Sequence, residues 1–436
     1  MSLETPEKIR SLQRKLYCKA KAEPAFRFYI LYDKICREDV LRHAYALSRA
    51  NAGAPGVDGA SFEQIDASGV EAWLAGLREA LVSKTYRADP VRRVTIPKPG
   101  GGERPLGIPT IRDRVIQTAV KIVLEPIFEA EFEDNAYGYR PRRSAVDAVK
   151  ETHRLLRRGY TDVVDADLSK YFDTIPHADL LKSVARRVVD RHVMHLIKMW
   201  LQAPVEERDG DGTRRMSGGK ASNRGTPQGG VASPLLANIY MNRFLKHWRL
   251  TRRGEAFQAH VVSYADDFVI LSRGRAVAAL AWTKAVMTKL GLTLNEAKTS
   301  VRDARRERFD FLGYTFGPHR DWKDGHWYPG ASPSKKSVQR IKTKIGDLLR
   351  PGEKGPWPEV HARLNRLLTG WSAYFGYGSR LPAYRVVDHH VHDRVRHFLA
   401  RRHKEPGRGV RRFPYAKVFG DLGVQRLQRV QVGPTP

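Results

Sequence analysis

The pattern that most constrains the fold is a strand–turn–strand, AHVVSYADDFVILS at residues 259–272, with two adjacent aspartates at its turn. Apolar side chains lead into the turn and out of it again, which predicts an antiparallel hairpin within a buried sheet. Asp266 and Asp267 would then stand at the end of that hairpin. An isolated Asp pair at such a turn more often serves turn chemistry, because Asp tolerates left-handed backbone and accepts nearby amide hydrogen bonds. The pair indicates a catalytic site only together with further residues.

A third aspartate ends another apolar stretch. TDVVDADLSKYFD (161–173) begins as a strand and breaks into polar residues after Asp167. In a common sheet, Asp167 could lie beside Asp266 and Asp267, although by itself it could equally cap a helix. Mg²⁺ prefers hard oxygen ligands, and polymerases use two such ions to transfer nucleotidyl groups. The three carboxylates therefore predict a Mg²⁺-dependent phosphoryl-transfer site.

The charge of the chain indicates a polyanionic partner. Its 436 residues contain 77 Lys and Arg against 47 Asp and Glu, a formal net charge of +30. Such an excess favours nucleic-acid binding over a solvated basic surface without that role. Two cysteines, Cys18 and Cys36, cannot form a thiolate zinc site. The charged N-terminus and the lack of a long apolar run predict a soluble, cytoplasmic (bacterial) protein without membrane contact.

Several motifs in one order resemble those of reverse transcriptases. Tyr264-Ala265-Asp266-Asp267 matches the Tyr-x-Asp-Asp signature of that family, and residues 167–173 resemble its first catalytic block. Residues 225–236 resemble the block that contacts the incoming nucleotide. Residues 291–298 and 311–313 resemble the two blocks that follow the Asp pair. The order of the blocks makes the resemblance specific.

Within that family the sequence is most similar to bacterial group II intron-encoded proteins, the maturases. This likeness rests on RPLGIPTIRDRVIQ (104–117), NAYGYRPRRSA (135–145), GAPGVDG (53–59) and LNRLLTGWSAYFGYG (364–378). The last of these resembles the thumb, or maturase, domain. No Cys-paired or His-rich nuclease module follows it, so the resemblance is to the nuclease-lacking kind.

The resemblance implies an α+β fold, a right-hand polymerase whose fingers and palm contain antiparallel sheet, followed by a mainly helical thumb. A shift in composition near 317–334 predicts a domain boundary there. The expected division is an N-terminal extension with the start of the fingers (1–90), the fingers and palm (91–318), the thumb (335–404) and a short basic tail (405–436).

The resemblance also assigns catalytic roles. It makes Asp167, Asp266 and Asp267 the ligands of two Mg²⁺ ions, with Mn²⁺ as an alternative, and adds Leu168 to the metal site. Lys298 matches a lysine thought to protonate the leaving pyrophosphate, as a general acid near the leaving oxygen can. A solvated lysine at the end of a strand is an equally good reading of Lys298.

Four further residues are expected to contact the dNTP substrate. Lys98 and Arg104 flank a glycine turn between two predicted strands and would bind the triphosphate, unless they are solvated hairpin charges. Gln228, followed by two glycines, would approach the nucleotide sugar. Phe172 stands where the family places a ring that excludes a ribose 2′-hydroxyl, although a single Phe is usually part of a core.

An arginine- and tyrosine-rich segment is expected to contact RNA. Tyr137 and Tyr139 directly precede Arg140, Arg142 and Arg143, a mix that suits phosphate binding combined with stacking on bases. The helix after this segment is expected to begin at Ser144, with a capping box.

The sequence thus predicts an RNA-dependent DNA polymerase that extends a DNA or RNA primer on an RNA template and binds structured intron RNA to assist splicing and retromobility. Three alternatives remain. They are an RNA-dependent RNA polymerase, an RNA-binding splicing factor with a vestigial polymerase site, and a reverse transcriptase domesticated for phage defence or spacer acquisition. The sequence leaves the bound RNA, the priming mechanism and the oligomeric state open.

Overall fold

The computed structural model of the chain describes residues 3–97, 102–208, 213–321 and 324–429. Within those residues the α-helices are α1 (Glu7–Ala22), α2 (Tyr32–Ile35), α3 (Glu38–Ala50), α4 (Phe62–Ser68), α5 (Val70–Val82), α6 (Ile111–Glu129), α7 (Ala145–Arg157), α8 (Tyr171–Thr174), α9 (His177–Ala185), α10 (Arg191–Leu201), α11 (Ser233–Leu250), α12 (Arg253–Ala256), α13 (Ala276–Lys289), α14 (Lys335–Leu348), α15 (Trp357–Tyr374), α16 (Leu381–Arg402) and α17 (Tyr415–Phe419). None of these helices combines the length and the apolar character needed to cross a membrane.

The strands form three sheets. They are β1 (Val91–Pro97), β2 (Glu103–Ile108), β3 (Asp162–Asp167), β4 (Pro204–Arg208), β5 (Arg214–Gly218), β6 (Ala259–Tyr264), β7 (Asp267–Ser272), β8 (Ser300–Asp303), β9 (Phe309–Phe311), β10 (Tyr314–Arg320) and β11 (Trp327–Pro333). The strand orders are β6-β7-β3-β8 in the central sheet, β2-β1-β4-β5 in the outer sheet, and β11-β10-β9 in the third.

The central sheet is antiparallel throughout and buried on both faces. In β7, Phe268 and Ile270 pack into the large core that also contains residues of α6 and α11. Val269 and Leu271 point to the other face and join a second core. Because successive side chains of a strand alternate between faces, only a continuous apolar run can fill both cores. The run in the sequence therefore produces a strand that is fixed from both sides.

The outer sheet differs, since most of its residues face solvent. The β1–β2 pair is antiparallel and matches the two predicted strands, while β4 lies parallel to β1. Val91 is buried at the start of β1, but the rest of that strand reaches outward. This sheet meets the core mainly at one end.

The C-terminal part is helical, with a core of its own formed mainly by α14, α15 and α16. The segment 317–334, where a boundary is predicted, forms the end of β10 and the β11 strand, and α14 begins directly after it. Phe375 belongs to the core that includes residues of the third sheet, and Trp371 packs against both that core and the helical core. The predicted α+β fold with antiparallel sheet followed by a helical segment is confirmed.

Helix signals in the sequence gave mixed results. Ser144 caps α7 with the predicted capping box, in which its side chain and that of Asp147 bond each other's backbone N–H. The apolar spacing over residues 1–50 predicts helix throughout. That prediction is wrong between α1 and α2, where Tyr29 and Ile30 are 61% and 64% exposed. Phe28 there forms a parallel bridge to Val188 instead, which removes the segment from helix.

Candidate active site

The central sheet brings the three predicted carboxylates to one edge. Asp167, the last residue of β3, is paired directly with Asp267, the first residue of β7. Directly opposed residues of antiparallel strands have Cβ atoms about 5 Å apart. Asp266 belongs to the two-residue turn that joins β6 to β7. The carboxylates therefore come from two strand ends and one turn.

The turn that carries Asp266 is strained and supported from outside. Ala265 has φ 57°, a left-handed conformation that costs a non-glycine residue about 1 kcal/mol. Gly138 lies against it, and a Cβ on Gly138 would come within 2.5 Å of the Ala265 nitrogen. Only glycine fits at residue 138, because any side chain would displace the turn that carries Asp266.

The electrostatics of the site favour a bound cation. Desolvation, followed by the charges of Asp266, Asp167 and Asp165, raises the pKa of Asp267 to about 7. Desolvation also raises the pKa of Asp266, with Asp167 adding to it. Lys298 and Arg104 act in the opposite direction on Asp266. The negative charges are crowded together, and two cations approach them from different sides.

Lys298 lies at the first of the carboxylates. Its Nζ is 3.0 Å from Asp167 Oδ2, and its side chain remains 65% exposed. Asn295 Nδ2 donates to the same oxygen at 3.3 Å, and the Asn295 backbone N–H donates to the Asp167 carbonyl at 2.8 Å. Leu168 is buried and bridges Leu294. Lys298 thus contacts a predicted metal ligand, whereas its role as a general acid stays a prediction.

The loop 225–230 closes the site on another side. The Gly107 backbone N–H of β2 donates to the Gln228 carbonyl at 2.6 Å, which joins this loop to the outer sheet. A Cβ on Gly229 would lie 2.3 Å from the Gly107 carbonyl oxygen, so glycine permits that approach. Gln228 itself is half-buried. Its predicted contact with the nucleotide sugar stays a prediction.

Phe172 lies beneath this loop. The Thr226 backbone N–H donates to its carbonyl at 2.7 Å. Its ring makes edge contacts with Tyr171 at 5.7 Å and with Tyr139 at 6.4 Å between centroids. The side chain is half-buried and packs against the core. Its role in excluding a ribose 2′-hydroxyl stays a prediction.

Of the two predicted triphosphate contacts, Arg104 and Lys98, the structure describes only Arg104. Arg104 is exposed on β2, opposite Ile96, and its charge acts on Asp266 and Tyr139. Its guanidinium therefore lies within electrostatic range of Asp266. Lys98 lies outside the residues that the structure describes.

The predicted RNA contact of the arginine- and tyrosine-rich segment is wrong for Arg140. Its side chain is 3% exposed, and Nη2 is 2.7 Å from Glu129 Oε1. Arg143 pairs with Asp134 at 3.0 Å and lies over the ring of Tyr137. Arg142 is exposed and stays a candidate. A buried arginine has to be paired, and Glu129 on α6 supplies the charge that the local pattern did not reveal.

Sequence reasoning missed two residues of the site. Asp165 lies two positions before Asp167 on the same face of β3, and desolvation raises its pKa to about 6. The strand period of two could have indicated it. Tyr139 was expected to contact RNA, but its ring centroid is 6.3 Å from that of Tyr264 in the catalytic signature.

Another group of potential ligands is more compact than the aspartates. Among the described residues, Asp321, Asp324 and His326 have donor atoms that lie within 4.8 Å of one another. His326 Nδ1 is 2.6 Å from Asp324 Oδ1, and both residues are exposed at the β10–β11 connection. This group is separate from the catalytic edge. Two of its three side chains, Asp324 and His326, are already hydrogen-bonded to each other at the surface.

Comparison with known families agrees with the fold. Residues 96–316 match the family described as reverse transcriptase (RNA-dependent DNA polymerase). Residues 338–415 match the group II intron, maturase-specific domain. The first match begins near the end of β1 and contains the central sheet and the rest of the outer sheet, and the second begins within α14.

The chain is similar to bacterial proteins, among them a group II intron-encoded protein. Protein YkfC of Escherichia coli (strain K12) is 34% identical over 343 residues, 70% of this chain and 87% of that protein. Group II intron-encoded protein LtrA of Lactococcus lactis subsp. cremoris is 36% identical over 227 residues, 50% of this chain. The aligned part is 35% of LtrA, so the chain spans about a third of that relative's length. By these matches the chain belongs to the reverse transcriptase family of RNA-dependent DNA polymerases, and it carries the maturase-specific domain of group II intron proteins.

Proposed function

We propose that this reverse transcriptase extends a primer on an RNA template by adding dNTPs through two-Mg²⁺ phosphoryl transfer at Asp167, Asp266 and Asp267. The observation that carries the proposal is the pairing of Asp167 with Asp267 at a strand edge beside the turn of Asp266. A second activity, binding of intron RNA to assist splicing and retromobility, is proposed for the same chain.

The donor set fits divalent metal ions. Carboxylate oxygens are the ligands that Mg²⁺ prefers, and Mn²⁺ accepts the same set. Desolvation, followed by repulsion from neighbouring carboxylates, raises the pKa of Asp267, and a bound cation would relieve that repulsion. Bound there, the ions would activate the primer hydroxyl and neutralise charge on the leaving pyrophosphate.

The protein's own groups would hold the nucleotide. Arg104 faces Asp266 from the outer sheet and would pair with phosphate oxygens in the bidentate manner of guanidinium groups. The loop of Gln228 would support the sugar and base from the side next to β2. Phe172, below that loop, would occupy the space that a ribose 2′-hydroxyl needs. These contacts favour a deoxynucleotide over a ribonucleotide.

The proposed RNA-binding activity rests on the helical C-terminal part. On α14, Lys335, Lys336, Arg340 and Lys344 are exposed, while Ile341 and Ile345 are buried. The helix carries one acidic residue, Asp347. A basic exposed face of this kind binds phosphates without reading sequence. The match to the maturase-specific domain favours intron RNA as the partner.

Primer extension on an RNA template tests the polymerase proposal. The wild-type chain is expected to incorporate dNTPs with Mg²⁺, and Asp266→Asn should abolish synthesis while RNA binding persists, because Asn retains the size but lacks the anionic ligand. Asp324→Asn, in the exposed group outside the catalytic edge, is the matched control and should retain activity. Full synthesis by Asp266→Asn would refute the assignment of the site.

A further inference from the structure

Tyr139 is a partly exposed aromatic residue that lies inside the active-site cleft. It is 46% exposed, and its ring centroid is 6.4 Å from that of Phe172 and 6.3 Å from that of Tyr264. Desolvation, followed by the charge of Asp266, raises the pKa of Tyr139. A ring this exposed contributes little to the core, so its position requires another explanation.

The backbone holds Tyr139 in this position. The segment 135–139 runs along the open edge of β6 and exchanges two hydrogen bonds with Ser263, at 2.8 and 2.9 Å. Asn238 Nδ2 donates to the Gly138 carbonyl at 2.7 Å. Tyr139 follows with φ 54°, a left-handed conformation that turns the chain at this point. The ring is therefore presented from a fixed support rather than from a loose loop.

Phe172, by contrast, has contacts from several directions. Tyr171 packs against its ring from the core side and is itself anchored by a 2.7 Å hydrogen bond from its hydroxyl to the Ala237 carbonyl. The backbone N–H of Thr226 donates a hydrogen bond to the Phe172 carbonyl. Tyr139 supplies the remaining aromatic contact, from the cleft side. Edge-to-face pairs at these distances are attractive and restrict the orientation of both rings.

We propose that Tyr139 is a positioning residue for sugar selection: its ring restricts the side-chain conformation of Phe172 and thereby sets the discrimination between deoxyribose and ribose. The inference rests on the proposed function, in which Phe172 excludes the 2′-hydroxyl. A Phe side chain has a small number of staggered χ1 conformations. Without the ring of Tyr139, Phe172 can turn toward the cleft side, and the space beside the sugar opens.

The test compares specificity constants for a matched dNTP and rNTP in the full chain. Tyr139→Ala is expected to reduce the preference for the dNTP by about three- to tenfold, the size of one aromatic contact. Tyr139→Phe keeps the ring and should restore the wild-type preference. A merely structural role would lower both specificity constants together and leave their ratio unchanged, and that result would overturn the proposal. Tyr29→Ala, at an exposed tyrosine between α1 and α2, is the matched control.

A double-mutant comparison separates this inference from the proposed function. Phe172→Ala should reduce the dNTP preference, and adding Tyr139→Ala to it should cause no further change, because Tyr139 acts through Phe172. An equal further reduction in the double variant would overturn the inference alone. If Phe172→Ala changes the ratio of specificity constants and Tyr139→Ala does not, the inference is also overturned while the proposed function stands. An unchanged ratio of specificity constants in Phe172→Ala would overturn the proposed role of Phe172 in excluding the 2′-hydroxyl. Failure of the wild type to incorporate dNTPs would overturn the proposed function.

Discussion

The central and outer sheets each have four strands, but their surroundings are opposite. Ile270 on β7 is fully buried, whereas Ile96 on β1 is 40% exposed. The central sheet fills two hydrophobic cores, while β1 and β2 project from the core at one end. The carboxylates lie on the first sheet, and Arg104 lies on the second.

This difference matches what each set of side chains has to do. Metal ligands need fixed mutual positions, which a sheet packed on both faces supplies. A cationic contact to a substrate has to admit and release it, and an exposed sheet with few buried contacts opens at a lower free-energy cost. We therefore expect substitutions in the two sheets to affect different measured quantities.

The largest expected effect separates catalysis from stability within the central sheet. Asp267→Asn should reduce primer extension by about a thousandfold or more, because a hard anionic ligand is lost. In EDTA at pH 8 the same variant should unfold at a higher temperature than the wild type. Desolvation and neighbouring carboxylates raise the pKa of Asp267 to about 7, so its ionised form opposes folding.

The pH dependence follows from the direction of that shift. The usual pKa is 3.8, so the contribution of Asp267 to stability is fully present below that pH and is lost as the pH rises through about 7. The difference in unfolding temperature between variant and wild type should therefore grow from pH 5 to pH 8. Added Mg²⁺ should stabilise the wild type more than the variant. A difference that shrinks with rising pH would contradict the predicted shift.

The next prediction compares the same substitution in the two sheets. Ile270→Ala should lower the free energy of unfolding by about 3 kcal/mol, since it leaves a cavity between packed elements. Ile96→Ala should lower it by less than about 1 kcal/mol, because much of its side chain is already in water. Chemical denaturation of both variants measures the contrast. Similar losses would show that the outer sheet is as tightly supported as the central one.

A smaller effect is expected for substrate binding by the outer sheet. Arg104→Ala should raise the KM for dNTP by about ten- to a hundredfold, the range of a hydrogen bond to a charged group, and leave stability unchanged. Arg93→Ala is the matched control, because Arg93 on the neighbouring strand pairs with Glu207 at 2.7 Å. Steady-state kinetics at saturating template and primer measure the KM for dNTP of both variants. Equal KM values would count against a special role of Arg104.

The smallest effect concerns cations outside both sheets. Lys336→Ala combined with Arg340→Ala on α14 should weaken RNA binding and reduce the log–log salt slope by about 1.4, with two fewer phosphates contacted on a single strand. A charge-matched control removes Arg42 and Lys34, both bonded to acidic neighbours in the N-terminal part. An unchanged slope in the α14 variant would place RNA contacts elsewhere on the molecule.

Sequence patterns predicted the elements of the site better than its contacts. The central hairpin, the β1–β2 pair and the capping box at Ser144 all occur where the sequence indicated them. Each depends on residues close together in the chain, so periodicity and turn chemistry suffice to find it. The helical prediction over residues 1–50 failed between α1 and α2, because pairing of Phe28 with Val188 overrode the local preference.

By itself the sequence indicated the strands β1, β2, β3, β6 and β7, with an aspartate at the end of β3 and another at the start of β7. Only the tertiary structure decided that Asp167 faces Asp267, that Arg140 is paired with Glu129, and that Tyr139 contacts Phe172. The first kind of information is local, because strand period and turn residues act over a few positions. The second depends on which buried charges find partners and which rings meet across a cleft. Those contacts join residues far apart in the chain, and packing of the two cores around the central sheet brings them together.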